Sequence, residues 1–206
     1  MTARTPPAVP APRDVDALRE LASIGCGHAV SALARLAGLR FEMDVPEVWV
    51  GAGRGAIPAF LGALERDQVA VALRLEGILS GHLVVLMAEP DGRKLAARLG
   101  QPVQPGDGWD ELARSALMEA GNIVGSAFVS AIADMVRGRL LPSVPSLARG
   151  GARACLAELL EGERARIALA TRLWSGGADA LEGLILVVPD EARIATLLAA
   201  LDLAWK

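Results

Sequence analysis

The sequence lacks most of the marks of a secreted, membrane-spanning or nucleic-acid-binding protein. Its 206 residues hold two cysteines, Cys26 and Cys155, both in apolar, helix-like surroundings. Neither has a second cysteine or a histidine cluster at zinc-ligand spacing, which argues against a disulfide framework and fits a reducing compartment. Basic charge is not in excess. The net charge is −3, with Lys, Arg, Asp and Glu intermixed, so no basic stripe exists to attract a phosphate backbone and nucleic acid is not expected as a partner. Residues 1–13 carry Pro and Ala without the continuous apolar stretch of a signal peptide, and no later run is expected to reach the apolar length that spans a bilayer. The expectation is a cytoplasmic protein, outside the membrane, with residues 1–13 as a disordered lead.

Hydrophobic residues are abundant at 52% of the chain, enough for one compact domain or for two small units that share a core. Comparing the chain with itself favours the second arrangement. At an offset of 99 residues, Ala17, Leu18, Glu20 and Ile24 match Ala116, Leu117, Glu119 and Ile123, and Val30, Ser31 and Ala32 match Val129, Ser130 and Ala131. The same offset pairs Val45 and Pro46 with Val144 and Pro145, Gly51 with Gly150, and Leu61 with Leu160. Toward the end of each unit it pairs Pro90 and Asp91 with Pro189 and Asp190, Ala96 with Ala195, and Leu99 with Leu198. The chain therefore reads as a duplication: a first repeat over residues 14–99, a linker and helix start over 100–112, and a second repeat over 113–206.

Both repeats give the same coarse pattern. A long helix (15–36; 111–136) leads to a short extended segment near a proline, then a shorter helix (58–64; 152–160). Two apolar, β-rich segments follow (69–75 and 82–87; 167–173 and 184–188), and a helix begun at Asp91 or Asp190 closes each unit. Successive strands across short glycine-containing turns favour antiparallel pairing. The predicted class is α+β: two pseudo-twofold related halves completing one shared, mainly antiparallel sheet flanked by helices.

Stepping along 111–136 at about 100° per residue places Ser115, Glu119 and Asn122 within about 60° of one another, over roughly 10 Å of helix axis. Ala116, Leu117, Ala120, Ile123, Val124, Ala127 and Phe128 lie on the other side, where a core belongs. An outward Ser, Glu and Asn is ordinarily a solvated helix face. Two features set this one apart. Gly121 and Asn122 are poor helix formers in mid-helix, so something other than helix stability must account for them. The pattern also recurs 99 residues earlier as Asp16, Glu20 and Ser23, with Pro46 standing to Ser23 as Pro145 stands to Asn122.

Asp/Ser-x3-Glu-x2-Asn followed 23 residues later by Pro resembles the signature of the CheC/CheX/FliY family of response-regulator phosphatases. The segments Leu-Arg-Glu-Leu-Ala-Ser-Ile-Gly-Cys-Gly-His-Ala and Leu-Met-Glu-Ala-Gly-Asn-Ile-Val-Gly-Ser-Ala-Phe are similar to that family's two helix segments. Two repeats that end at Lys206 look like the CheC branch, since CheX-like proteins have one repeat and FliY-like proteins carry a further flagellar-switch domain. The resemblance implies hydrolysis of the aspartyl phosphate on a CheY-type receiver domain, with Asn122 positioning water and Glu119 anchoring the receiver's lysine. Ser115 and Pro145 would support the site. It implies no cofactor of the chain's own, the magnesium being carried by the phosphorylated partner. It also admits a second role, an adaptor that holds a response regulator or a CheD-type deamidase. Ser23 departs from the pattern: its hydroxyl is shorter than an amide and lacks the paired donor and acceptor, so the Asp16/Glu20/Ser23/Pro46 site is expected to be weak or silent.

Other candidates carry less. Residues 50–56 read like a dinucleotide fingerprint, with Glu76 as a possible ribose acceptor, but Pro58 and Gly62 interrupt the long helix that such a site requires and the second repeat lacks the motif. Cys26 and His28 lie two residues apart on a helix, where side chains diverge by about 200°, so they do not form a nucleophile or metal pair. Trp49, Trp109, Trp174 and Trp205 are read as core or interface packing.

Overall fold

The computed structural model describes residues 10–51, 66–101, 109–159 and 167–204. The first repeat runs α1 (Pro12–Ala37), β1 (Phe41–Met43), β2 (Glu47–Val50), β3 (Asp67–Gly77), β4 (Gly81–Ala88) and α2 (Glu89–Arg98). The second runs α3 (Glu111–Val136), β5 (Leu140–Pro142), β6 (Ser146–Gly151), α4 (Ala152–Leu159), β7 (Ile167–Ser175) and β8 (Glu182–Pro189). It ends with a 3-10 turn (Glu191–Arg193) and α5 (Ile194–Ala204). The helix expected over 58–64 lies outside the described residues, as do most of the dinucleotide-like stretch and Trp205.

Among the described residues the strands form one antiparallel sheet in the order β1-β7-β8-β4-β3-β5, with β2 also on β7 and β6 also on β3. The halves are interlocked. β1 and β2 of the first repeat pair with β7 of the second, and β5 and β6 of the second pair with β3 of the first. The pseudo-twofold passes between β4 and β8, which pair directly from Gly81 with Pro189 to Leu86 with Leu184. Alternation along the strands separates two cores. Val69, Val71, Leu73, Leu75, Leu169 and Val187 face the long helices, whereas Ala70, Ala72, Ala168 and Leu186 face the side on which α4 packs with Cys155, Leu156 and Leu159.

The sheet register corrects part of the repeat reading. Val48 faces Leu169 as Leu147 faces Val71, so the short strands keep the step of 99 while Val71 to Leu169 is a step of 98. Val85 faces Val71 and Val187 faces Leu169, which makes the step 102 from the second hairpin strand onward. The matches of Pro90 with Pro189 and of Ala96 with Ala195 are therefore not structural: Pro90 is in the first turn of α2, whereas Pro189 ends β8. The true equivalent of buried Leu95 is buried Leu197. The cause is the longer turn between β7 and β8, and the closing helices accordingly do not begin at Asp91 and Asp190.

Two further expectations change. Pro12 and Arg13, assigned to the lead, are helical. Proline at the first helical position loses no needed donor, and the Asp14 carboxylate accepts the Ala11 N–H at 2.9 Å, so the helix starts there. By length and composition alone α3 is long and apolar enough to cross a membrane, contrary to expectation. Here Leu117, Val124, Phe128 and Ile132 are buried in the core, as for the central helix of a globular domain.

Glycines set how closely the helices approach. A Cβ on Gly25 of α1 would overlap the Phe128 ring of α3, and a Cβ on Gly121 would overlap Val71 Cγ1. One on Gly125 would stand 2.9 Å from Leu73 Cδ2. Mid-helix Gly121 is thus explained by packing: α3 rests its backbone on β3. An apolar cavity of about 20 Å³ beside it, lined partly by Leu117, Ala120 and Val124, holds little more than one water's worth of space and cannot absorb an isopropyl group. Gly121→Val should therefore destabilise the fold by about 1–3 kcal/mol, measured by urea denaturation.

The start of α3 is clamped. Trp109 is buried, its Nε1 donates to Glu89 Oε1 at 3.0 Å, and Arg93 and Arg149 donate to the same oxygen at 2.7 and 3.1 Å. Both guanidiniums lie 5.4 Å from the Trp109 ring centroid. Burial alone would raise the Glu89 pKa, but these hydrogen bonds outweigh it and hold the carboxyl at about 2 instead of 4.5. A depressed carboxyl stabilises the fold above its unfolded value and loses that contribution as pH falls through the folded one. Stability should drop between pH 4.5 and 2, and Glu89→Gln should flatten this part of the profile, read from urea midpoints at each pH.

Candidate functional site

α3 is a continuous helix of 26 residues with both ends secured. Asp110 accepts the Ala113 N–H at 2.7 Å at the N-terminus, and Arg137 closes the C-terminus in the left-handed conformation at φ 48°. Because Gly121 faces the sheet, the next residue emerges about 100° round the helix. Asn122 is accordingly half-buried at the rim, and Glu119 and Ser115 are exposed on the same side. None of the three makes a hydrogen bond or ion pair with another described residue. The carboxamide and carboxylate are thus positioned by the backbone of α3, and their polar atoms have no partner among the described residues.

Pro145 is half-buried in the turn between β5 and β6. That turn is pinned to β3: the Ser143 N–H donates to the Arg74 carbonyl at 2.8 Å, and Ser143 Oγ accepts the Arg74 N–H at 2.9 Å. Leu147 lies opposite Val71, the residue on which Gly121 rests. The register brings the turn alongside the middle of α3, and Val144 at its tip is 87% exposed.

The equivalent positions on α1 are differently disposed. Asp16 binds Arg19 Nη1 at 2.6 Å, and the Ser23 hydroxyl donates to the Arg19 carbonyl at 3.0 Å, back along its own helix. Glu20 is exposed and makes no hydrogen bond or ion pair with another described residue, and Pro46 is buried. The first constellation therefore keeps its carboxylate at Glu20 but has its other two polar groups engaged. Arg19 was absent from the sequence reading, although an Asp and an Arg three apart on a helix are an ordinary pair. The cluster of Glu89, Arg93, Trp109 and Arg149 had no sequence signal, because its members come from three separate elements.

The rival sites gain nothing. Cys26 is buried and His28 exposed, so they do not converge. Burial pushes the Cys26 thiol up to about 12, the reverse of an activated nucleophile. Among the described residues, no group of three or more His, Cys, Asp and Glu could hold a metal ion.

The CheC-like family matches this chain twice, over residues 15–50 and 112–149, the two segments that carry α1 and α3. Each of the two long helices thus lies in a segment similar to that family. A CheC-like relative, the CheY-P phosphatase CheC of Bacillus subtilis, is 33% identical over 137 residues, covering 65% of each chain, so the match spans about two thirds of that relative's length. Thermotoga maritima FliY shares the CheC-like fold with a TM-score of 0.69 at 13% identity, over 96% of this chain and 100% of that one. A chain of the Borrelia burgdorferi CheX-CheY-BeF3-Mg complex does so with a TM-score of 0.58 at 16% identity, over 85% and 99%.

With both cysteines buried, neither belongs to the candidate site of this chain. In the native protein at pH 8 neither should react with a thiol reagent over minutes, whereas both should react on addition of denaturant, followed by absorbance or mass.

Proposed function

We propose that this protein hydrolyses the aspartyl phosphate of a phosphorylated CheY-type receiver domain in the cytoplasm. The observation that carries the reading is the pair Glu119 and Asn122, held on one face of a rigid helix with no hydrogen-bond partner among the described residues. The similarity to a relative named CheY-P phosphatase supports it, as does the fold likeness to a chain of a CheX-CheY complex.

An acyl phosphate is already activated, and magnesium on the receiver neutralises the phosphoryl oxygens, so the partner's task is to place water in line. The Asn122 carboxamide offers a donor and an acceptor and can orient that water. The water oxygen bonds to phosphorus and the bond from phosphorus to the aspartyl oxygen breaks. This releases the receiver carboxylate and inorganic phosphate, with the water's proton passing to phosphate or solvent. Glu119, one turn back, pairs with the lysine beside the phosphorylated aspartate and so aligns the two proteins. Ser115 and the turn at Pro145 shape the rim. On α1, Ser23 is too short to reach such a water and its hydroxyl is committed to the Arg19 carbonyl, so that site contributes little turnover.

Asn122→Ala should lower the protein's acceleration of receiver dephosphorylation roughly a hundredfold while leaving binding in place, measured as the lifetime of labelled acyl phosphate on a purified receiver. An unchanged rate in this variant overturns the assignment. Receiver binding by the parent protein with no shortening of that lifetime favours the adaptor role, in which the chain holds a regulator or a CheD-type deamidase.

A further inference from the structure

The duplication sets two helix faces in the same structural frame, so differences between them report on use rather than on fold. Leu112, Ser115, Glu119 and Asn122 stand at i, i+3, i+7 and i+10 of α3 and form one outward stripe. Leu112 is 62% exposed, one of the few large apolar side chains left to solvent among the described residues. Arg114 lies about 140° round the helix from Glu119 and does not share the stripe.

The equivalent stripe on α1 is Arg13, Asp16, Glu20 and Ser23. An exposed guanidinium stands where α3 offers Leu112. Arg19, 40% exposed, stands where α3 has Met118, within about 60° of both Asp16 and Ser23. It neutralises Asp16 at 2.6 Å. Among the described residues the α3 stripe thus presents a carboxylate without a partner and an apolar residue, whereas the α1 stripe carries two guanidiniums, Arg19 on Asp16 and Arg13 at 3.6 Å from Asp14, around a Glu20 that has no partner there.

Resting on the function proposed above, we infer that the two faces have diverged in binding as well as in chemistry. The α3 face alone docks a receiver domain, Leu112 contributes an apolar contact to it, and Arg13 and Arg19 turn the receiver away from α1. The partner's cation at this contact is a lysine ammonium, which a carboxylate attracts and the guanidiniums flanking Glu20 oppose. One regulator then binds per chain, despite two matching helices.

The test is calorimetric titration of the full chain with a receiver domain held in the active state by beryllofluoride and magnesium. One receiver per chain is expected. Glu119→Lys should abolish the binding and Glu20→Lys should leave it unchanged. Leu112→Ser, at a surface position, should raise KM roughly fivefold to tenfold while turnover at saturation is retained. The double variant Arg13→Leu/Arg19→Met should gain a second, non-hydrolysing binding event. Two receivers on the parent chain, loss of binding with Glu20→Lys, or no effect of Leu112→Ser overturns this inference, even where Asn122-dependent hydrolysis persists. If the parent chain neither binds the receiver nor shortens its acyl-phosphate lifetime, the functional reading itself falls.

Discussion

Close contact between the backbone of α3 and strand β3 governs the rest of this structure. Gly121 and Gly125 have no side chain to hold the helix away from Val71 and Leu73, so the helix axis has little freedom to roll or slide. A roll of one residue would carry Asn122 toward the sheet and Glu119 away from the rim. The amide and the carboxylate owe their aim to the absence of a methyl group at the neighbouring position. The clamp at Trp109 and the Asp110 cap fix the helix start, so its rotation is set at two levels along its length.

Strand exchange extends the constraint to the whole molecule. Each long strand, β3 or β7, is completed by short strands from the other repeat, and each carries on its helix-facing side the long helix of the other repeat. The site on α3 therefore depends on the first repeat, whose β3 is its floor. The α1 face depends in the same way on β7. A substitution in one repeat is felt under the helix of the other.

Much of this was legible in the sequence because duplication repeats its signals. The long helices, the antiparallel pairing and the shared face of Ser115, Glu119 and Asn122 follow from periodicity and from the step of 99 between α1 and α3. The step was misread toward the end of each unit. Pro90 and Pro189 match by chance, while the longer turn between β7 and β8 moves the register to Leu95 and Leu197. Residue identity outweighed burial there, although burial is what a fold preserves. The odd Gly121-Asn122 pair divides into two parts: the glycine serves packing on Val71, which no local pattern could reveal, and the asparagine stands at the rim without a partner among the described residues. The grouping of Glu89, Arg93, Trp109 and Arg149 required three dimensions to see.

The interlocked sheet also bears on what an idle site can become. The α1 face has a serine in place of the amide and an arginine across its aspartate, yet the segment that bears it cannot be discarded. Its following strands, β1 and β2, form the only border that β7 has on the side away from β8 among the described residues. Deleting that half would strip the remaining one of its floor and open a raw edge to aggregation. On the function proposed above, a unit released from turnover would still be retained as scaffolding, and the outward face of its helix could drift toward a different partner while its buried face holds the architecture.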